Sequence, residues 1–384
     1  MRLNGLSVIV IGGGIAGLAT ARAFLRSGAQ VTVLEQSAAF REVGAGLQLS
    51  PNGARVLDAL GLGAALRSHA LRSGAITLRK GASGAQVLRM TLPGDEPGFH
   101  LIHRADLVGL LQAALPGVIR LGARVQGVTL DSARPRVTLD GGEDLTADLV
   151  LGADGLHSVL RPLVTGQPEK PFFTGQVAWR ALIPCAGDAP EAQVFMGPGR
   201  HLVSYPLRGG SLRNIVAVEE RKTWAAEGWN HRDDPAHLRA AFAGFGGPVP
   251  GWLAQVQEVY LWGLFRHPVA ATWYRGGAAI LGDAAHPTLP FMAQGANMAL
   301  EDAFALLRAL ERGATLAESL ATWQAARRPR VSRVIEAANR NARNYHLRGP
   351  LAAVAHLALQ AADRITPNAA LRQYRWIYDF DVTA

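Results

Sequence analysis

Three short stretches of this chain carry residue types that bind an anionic, hydroxyl-rich ligand. The most telling is AAILGDAAHPTLPFMAQGANMALED, residues 278–302. An apolar strand, Ala278–Leu281, runs into Gly282-Asp283; a loop with two prolines follows, and Gln294-Gly295-Ala296-Asn297 opens a long helix. A carboxylate at the end of a buried strand accepts hydrogen bonds from a polyol. The helix start offers unpaired N–H groups and the positive end of a dipole, which suit the electron-rich edge of a heterocycle. Alone, the stretch also reads as an ordinary strand–loop–helix.

Gly12-Gly13-Gly14-Ile15-Ala16-Gly17 fits G-x-G-x-x-G between a strand and a helix. The first glycine makes the tight turn, the second lets backbone approach a pyrophosphate, and the third permits close helix–strand packing. Glu35 closes the next strand, placed for an adenosine ribose, with Gln36 beside it. This motif binds a dinucleotide without choosing between NAD and FAD. Gly152-Ala153-Asp154-Gly155, again after a strand and before a helix, is weak by itself. Together with Gly282-Asp283 it changes the reading: separate segments converging on one nucleotide imply a cofactor with a second polyol and a ring system. FAD has both.

A candidate base lies elsewhere. Gly199–Pro206 reads as a strand whose period of two puts His201, Val203 and Tyr205 on one face. Histidine titrates near neutral pH and can take the proton of a phenol or hydroxypyridine, which enriches the ring in electrons; Tyr205 is the next candidate. A lone histidine on an apolar strand is also an ordinary structural residue. Other conspicuous side chains take plain roles. His286 fixes its loop, Pro290 shapes it beside the reactive ring edge, and Phe291 and Met292 line a cavity. Trp179, Arg180 and Trp262 pack the sheet, with Arg180 a neighbour for a substrate carboxylate.

The elements around these residues define an α/β protein. Strands are expected at 6–11, 30–34, near 118–130, at 136–139 and 148–151, and helices at 15–27, from Ser50-Pro51-Asn52, from His103 and near Ser158. Residues 75–92 read as two strands. After Pro168 the texture changes to short alternating segments split by Gly/Pro turns, as in an antiparallel sheet. The βα pattern returns at Ala278, with helices 297–312 and 316–343, the second kinked or broken at Pro329, then a helical tail. A nucleotide domain is thus expected from the two ends of the chain: residues 1–75, 100–168 and 276–345. The substrate domain takes 76–99 and 169–275, and 346–384 form the tail.

Bulk properties narrow the class. With 384 residues, 49% hydrophobic content and 43 glycines, the chain is globular and turn-rich. Its net charge of +9 is spread thinly, which suits a dinucleotide or an aromatic carboxylate rather than nucleic acid. The densest cluster, Arg327-Arg328-Pro329-Arg330, reads as a solvated helix end. One cysteine, Cys185, excludes an internal disulfide framework and a multi-cysteine metal site, fits a reducing compartment and reads as a small core side chain. The apolar run Val8–Phe24 is broken by glycines and Arg22, so it is a βα unit rather than a targeting segment. No stretch reaches about 18 apolar residues, so a cytoplasmic protein without membrane spans is expected.

The motifs Gly12–Gly17, Gly44–Gly53, His103–Leu107, Gly152–Arg161, Gly282–Asp302 and Trp376–Asp381 together resemble the class A flavoprotein aromatic hydroxylases, the p-hydroxybenzoate hydroxylase fold, across nearly the whole chain. The salicylate hydroxylase, 3-hydroxybenzoate 6-hydroxylase and 6-hydroxynicotinate 3-monooxygenase group looks nearest. The resemblance implies a Rossmann-like FAD-binding domain of the GR2 type, an inserted and largely antiparallel substrate domain, and C-terminal helices. It implies non-covalent FAD, NADH or NADPH as co-substrate, and dioxygen, added to give a flavin C4a-hydroperoxide whose distal oxygen passes to a hydroxyl-activated ring. The cofactor residues would be Gly12, Gly14, Ile15, Ala16, Gly17, Glu35, Gln36, Arg41, Gly46, Arg104, Val125, Asp154, Asp283, Pro290, Gly295, Ala296 and Asn297. Arg104 and Asp283 would serve the pyrophosphate and ribitol, Val125 the adenine through its backbone, and Gly295–Asn297 the pyrimidine edge. His201 and Tyr205 would be catalytic, with Gln48 and Arg180 near the substrate, a small phenolic or hydroxypyridine acid. No metal, nucleic acid or membrane span is expected, and the enzyme would be a monomer or homodimer. The alternatives are a monooxygenase or epoxidase of a larger polycyclic or terpenoid substrate, and a flavin-binding regulatory protein without turnover.

Overall fold

The computed structural model describes residues 3–40, 46–130, 134–223, 231–366 and 368–384. Its first sheet has six strands in the order 274–275, 278–280, 149–152, 7–11, 30–34 and 119–120. All pair in parallel except the edge strand Tyr274–Arg275. Near-continuous Val, Ile and Leu in the central strands give the buried-both-faces pattern of a parallel sheet. Register matters for function. Ile11 lies opposite Gly152 on one side and Leu34 on the other, and Gly152 lies opposite Ile280. The carboxyl ends of four strands therefore finish in one row, and the residues that follow each end (Gly12, Glu35, Ala153-Asp154 and Gly282-Asp283) line the crevice where doubly wound sheets bind ligands.

The second large sheet has eight strands, drawn from residues 75–91 and 172–266, and is antiparallel except where Glu191–Gly197 runs beside Ala75–Lys80. Its faces differ because side chains alternate along each strand. Trp179, Ala181, Ile183, Phe195, Leu202, Ile215 and Ala217 point to one face, where the short helices Pro235–Ala241 and Val249–Ala254 cover them. Ala178, Val203, Val216, Val218 and Leu264 point to the other, against Leu289 and Phe291 of the 282–294 loop. Tyr205 and Leu207 continue that second face toward Gly46, where a Cβ would meet the Tyr205 ring at 2.4 Å. Only glycine lets the two parts approach this closely.

Several expectations are revised. Gly46–Leu49, for which no strand was expected, is a strand pairing with His100–His103. Asp144–Thr146 adds an unexpected strand to the small sheet of Val125–Thr129 and Arg136–Leu139. The helix near Ser158 is one 3₁₀ turn, Gly155–His157, followed by the helix Arg161–Thr165. Leu316–Tyr345 runs as one unbroken helix through Pro329, whose ring is exposed, while Arg327 and Arg330 on either side anchor it. Among the described residues, no helix is long and apolar enough to cross a membrane.

Candidate active site

The three glycines of the first motif take the distinct positions their chemistry requires. Gly12 has φ +104°, and a Cβ there would lie 2.5 Å from the Ala153 carbonyl oxygen. At Gly17 a Cβ would meet the Gly12 carbonyl oxygen at 1.9 Å, so helix and strand touch backbone to backbone. Gly14 is the opposite case: a Cβ would have nothing within 4 Å, leaving a clear approach to the helix start. Helix Ile15–Arg26 has no side-chain cap and no acidic residue in its first turn, so its leading N–H groups, including those of Ile15 and Ala16, face that approach unsatisfied.

Glu35 Oε2 accepts from Gly13 N at 2.8 Å and Oε1 from Ser37 N at 2.8 Å, which fixes the carboxylate against the motif. Gln36 is exposed beside it. Ala123 N donates to the Glu35 carbonyl, so the chain entering the strand Val125–Thr129 passes this same end. Arg104 opens the helix Arg104–Ala113 and reaches solvent, yet protein crowds it closely. Burial lowers its pKa, and the fields of Asp283 and Glu35 oppose that. Both carboxylates are thus near enough to act on the Arg104 charge. Arg41 lies outside the described residues.

Asp283 reaches solvent at the end of its strand and makes no hydrogen bond to any described residue. Protein on its other sides pushes its pKa up, with His286 and Arg104 pulling the other way. Gly282, at φ +58°, brings the turn against Ala16. Asp154 is held through Oδ2, which accepts from Val159 N at 2.8 Å, while its buried Oδ1 has no partner. Burial raises its pKa too. Helix Gly295–Arg312 starts without a side-chain cap or a first-turn acid, and the space beside Gly295 is bounded only by Thr288 at 3.4 Å. A clear pyrophosphate approach, two uncapped helix starts, and an unpartnered carboxylate beside an arginine together fit FAD.

The Asn297 side chain serves the fold, which leaves its backbone for the role expected of the helix start. Its side chain is fully buried and fully used: Nδ2 donates to the carbonyls of Gln48 and Ala293, and Oδ1 accepts from Ser50 N. It joins the helix start to the Gly46–Leu49 strand, and only its backbone can face a ligand. Behind it runs a polar seam that sequence reading missed. Ser50, Asn52 and Gln294 hydrogen-bond one another, and Asn52 Nδ2 donates to Glu301 at 2.6 Å. Arg327 pairs with Glu301 at 2.6 Å and Asp302 at 2.8 Å, and Arg330 grips Glu301 through two nitrogens. His286 Nε2 reaches Asp302 Oδ2 at 2.5 Å, which fixes the loop as expected. The solvated helix end expected at Arg327–Arg330 is thus corrected: Arg327 is 1% exposed and bonded to two carboxylates.

Facing this seam is the open face of the eight-stranded sheet. His201 is buried, its ring against Phe291 and Tyr345 with centroids 5.3 Å apart in each case. Its Nδ1 lies 2.7 Å from His346 Nε2, a neighbour the sequence did not suggest. Burial, reinforced by His346, pushes its pKa well below 6.5, so its ring is neutral at pH 7. Burial raises the Tyr205 hydroxyl, which stays protonated. Arg180 stacks on Trp262 at 4.1 Å; its Nε is buried without a partner, and no described carboxylate pairs with it. Burial lowers its pKa to about 10, with Tyr205 opposing and Arg104 reinforcing the shift, so it stays charged. Gln48 and Pro290 are half-buried between the two parts. Cys185 is no core residue: it is half-buried and donates to Asp188.

Known proteins support the same reading. The FAD binding domain family model matches residues 5–338. The 3-amino-4-hydroxybenzoate 2-monooxygenase of Streptomyces platensis is 36% identical, covering 97% of this chain and 96% of its own. The 3-hydroxybenzoate 6-hydroxylase of Klebsiella oxytoca is 32% identical, with 97% and 96% covered. A salicylate hydroxylase substrate complex superposes with a TM-score of 0.83 at 26% identity, covering 99% of this chain and 96% of that one. The chain therefore belongs to the FAD binding domain family, and within it to the FAD-dependent aromatic hydroxylases.

Proposed function

We propose that the enzyme hydroxylates a small aromatic acid bearing a ring hydroxyl, of the hydroxybenzoate or hydroxynicotinate type. The observation that carries this is Arg180, a half-buried guanidinium whose Nε is buried without a partner and which pairs with no carboxylate among the described residues. A charge crowded by protein without a counter-charge is unfavourable until an anion joins it. The acids named for the relatives (3-amino-4-hydroxybenzoate, 3-hydroxybenzoate and salicylate) all present a carboxylate on a ring of the right size.

FAD, reduced by NAD(P)H, supplies the activated oxygen derived from O₂. Glu35, Arg104, Asp154 and Asp283, with the starts of helices Ile15–Arg26 and Gly295–Arg312, would hold it. The chain itself orients, deprotonates and keeps water out. Arg180 fixes the carboxylate, and with it the orientation of the ring. Val203, Leu289 and Phe291 make the surroundings dry, which strengthens every charge interaction there. Neutral His201 takes the proton of the ring hydroxyl, raising electron density at the carbon to be oxygenated. Tyr205, kept protonated, is a hydrogen-bond donor at the same face.

The test is a panel of 3-amino-4-hydroxybenzoate, 3-hydroxybenzoate, salicylate and 6-hydroxynicotinate against the same rings without the carboxylate, scored by NAD(P)H oxidation and product mass. Acids should be hydroxylated, with KM far below that of the parent phenols; equal KM values would remove Arg180 from substrate recognition. His201→Ala should keep FAD but slow hydroxylation by roughly 10²–10⁴-fold, with reducing equivalents escaping to hydrogen peroxide. Wild-type product per NAD(P)H in that variant would show the base to lie elsewhere, Tyr205 being next.

A further inference from the structure

If His201 takes the ring proton, that proton must leave a site sealed from water. His201 is 1% exposed. Its Nδ1 lies 2.7 Å from His346 Nε2, and His346 Nδ1 lies 2.8 Å from Glu220 Oε1. Arg348 Nη2 donates to Glu220 Oε2 at 3.1 Å. His346 is itself buried, whereas the Glu220 side chain is 42% exposed. The three groups make one continuous hydrogen-bonded file from the sheet face to the surface.

The carboxylate at the outer end fixes its direction. A carboxylate only accepts, so neutral His346 must carry its proton on Nδ1 and a lone pair on Nε2. That lone pair requires a donor, so His201 must carry its proton on Nδ1. Its Nε2 is then an unprotonated base, with no hydrogen bond to any described residue. The remaining neighbours do not disturb this order. Tyr345 is held protonated by burial, Phe291 carries no charge, and Arg348 lies on the carboxylate rather than on either ring. Burial also holds His346 below its ordinary value, against the pull of Glu220.

We propose that His201, His346 and Glu220 form a proton relay between the substrate ring and solvent, with His346 and Glu220 as its transmitting members. The ring hydroxyl gives its proton to His201 Nε2; the Nδ1 proton of His201 moves to His346 Nε2; the Nδ1 proton of His346 moves to Glu220 and thence to water. One proton enters the relay and one leaves it, so no net charge stays on the two histidines, and the negative charge remains on the ring oxygen. The reverse passage, when the hydroxylated phenolate regains a proton, restores both tautomers. This rests on His201 being the base, and the experiment separates the two ideas.

Long-range ¹H–¹⁵N spectra of the ¹⁵N-histidine, FAD-loaded enzyme at pH 7.5, assigned with His201→Asn and His346→Asn, should show both histidines protonated at Nδ1 and bare at Nε2. A His201 protonated at Nε2 overturns the relay whatever its coupling does. In stopped flow with 3-amino-4-hydroxybenzoate and a pH indicator, His346→Phe should slow proton release by about 10²-fold, the low side of what placed acid–base groups contribute. Added imidazole should restore it, which structural damage would not permit. Glu220→Gln, at the surface, should act in the same direction without threatening the fold. Wild-type release in both variants ends the proposal and leaves the base to be judged on His201→Ala; wild-type coupling in His201→Ala, with the tautomers as described, ends the base reading instead.

Discussion

Arg327 is a buried guanidinium and Arg180 a half-buried one, and their surroundings could hardly differ more. Arg327, in the seam behind the cofactor residues, touches Glu301, Asp302 and the Met298 carbonyl. Burial alone would lower its pKa, yet the two acids hold it above its ordinary value. Arg180, on the sheet face, has an aromatic ring beneath it and no acid among the described residues, and its pKa falls to about 10. In the first region each charge has its counter-charge within the chain, so the seam is structure. In the second, a cation, a neutral histidine and a protonated tyrosine leave one negative charge wanting, and a substrate can bring it.

Breaking the paired region should have the largest effect on the fold. Arg327→Met leaves buried Asp302 without its arginine and Glu301 with Arg330 alone, and should lower stability by about 3–5 kcal/mol. Urea midpoints for the variant and for Arg327→Met/Asp302→Asn, which removes one stranded charge, would show loss and partial recovery; an unchanged midpoint would mean the seam is not held by its charges. Arg180→Met should do the reverse. Folding stability should stay level or rise, because no partner is stranded, while aromatic acids lose at least about 2 kcal/mol of binding, roughly 30-fold in KM. Parent phenols should be unaffected. A stability loss like that of Arg327→Met would erase the contrast between the two arginines.

What the sequence could show of this contrast follows from distance along the chain. The motif Gly12, Gly14 and Gly17 was legible because its spacing is local, with Gly17 packing on the Gly12 carbonyl, although the contact of Gly12 with Ala153 was not; the strand ends could be ordered because apolar runs mark them. The Arg327–Glu301 pair spans 26 positions, and His201–His346 spans 145. No periodicity reports either, so a run of arginines read as solvated and a histidine read as solitary. At Asn297 the helix start was legible, but nothing local showed that its amide ties down Gln48 and Ser50. Gly46–Leu49 did not read as a strand because glycine there serves the approach of Tyr205, a requirement that only packing reveals.

The cofactor residues offer a smaller test of the same distinction. Asp283 has no hydrogen-bond partner among the described residues, so it too is available to a ligand. Asp283→Ala should weaken FAD by about 1.5–3 kcal/mol, the worth of a charge-assisted hydrogen bond, and leave the apoprotein no less stable. Fluorescence titration of FAD into the apoprotein measures this directly. Unchanged affinity would place the ribitol contact elsewhere.

The smallest expected effect is a slope against pH, and it separates the regions without mutation. Burial lowers the pKa of His201 and His346, and likewise of His100 and His267. In the unfolded chain these rings protonate near pH 6.5; in the folded one they resist. As pH falls through 6.5 the unfolded state binds more protons, so folded stability must drop, by up to about 1.4 kcal/mol per pH unit for each ring fully held neutral. The seam adds nothing in this window. Its Glu301 and Asp302, opposed by burial but held down by Arg327 with Arg330 and His286, lose their contribution only at lower pH, as protons reach values already below the ordinary carboxylate range. Asp154 and Asp283, raised by burial, act in the opposite sense as they take up protons. Urea midpoints of the FAD-loaded enzyme at pH 7.5, 6.5 and 5.5 should therefore fall, and His201→Asn should flatten the decline. A wild-type midpoint level across that range would mean that the sheet-face histidines are not held neutral, which would leave His201 without the lone pair that a base requires.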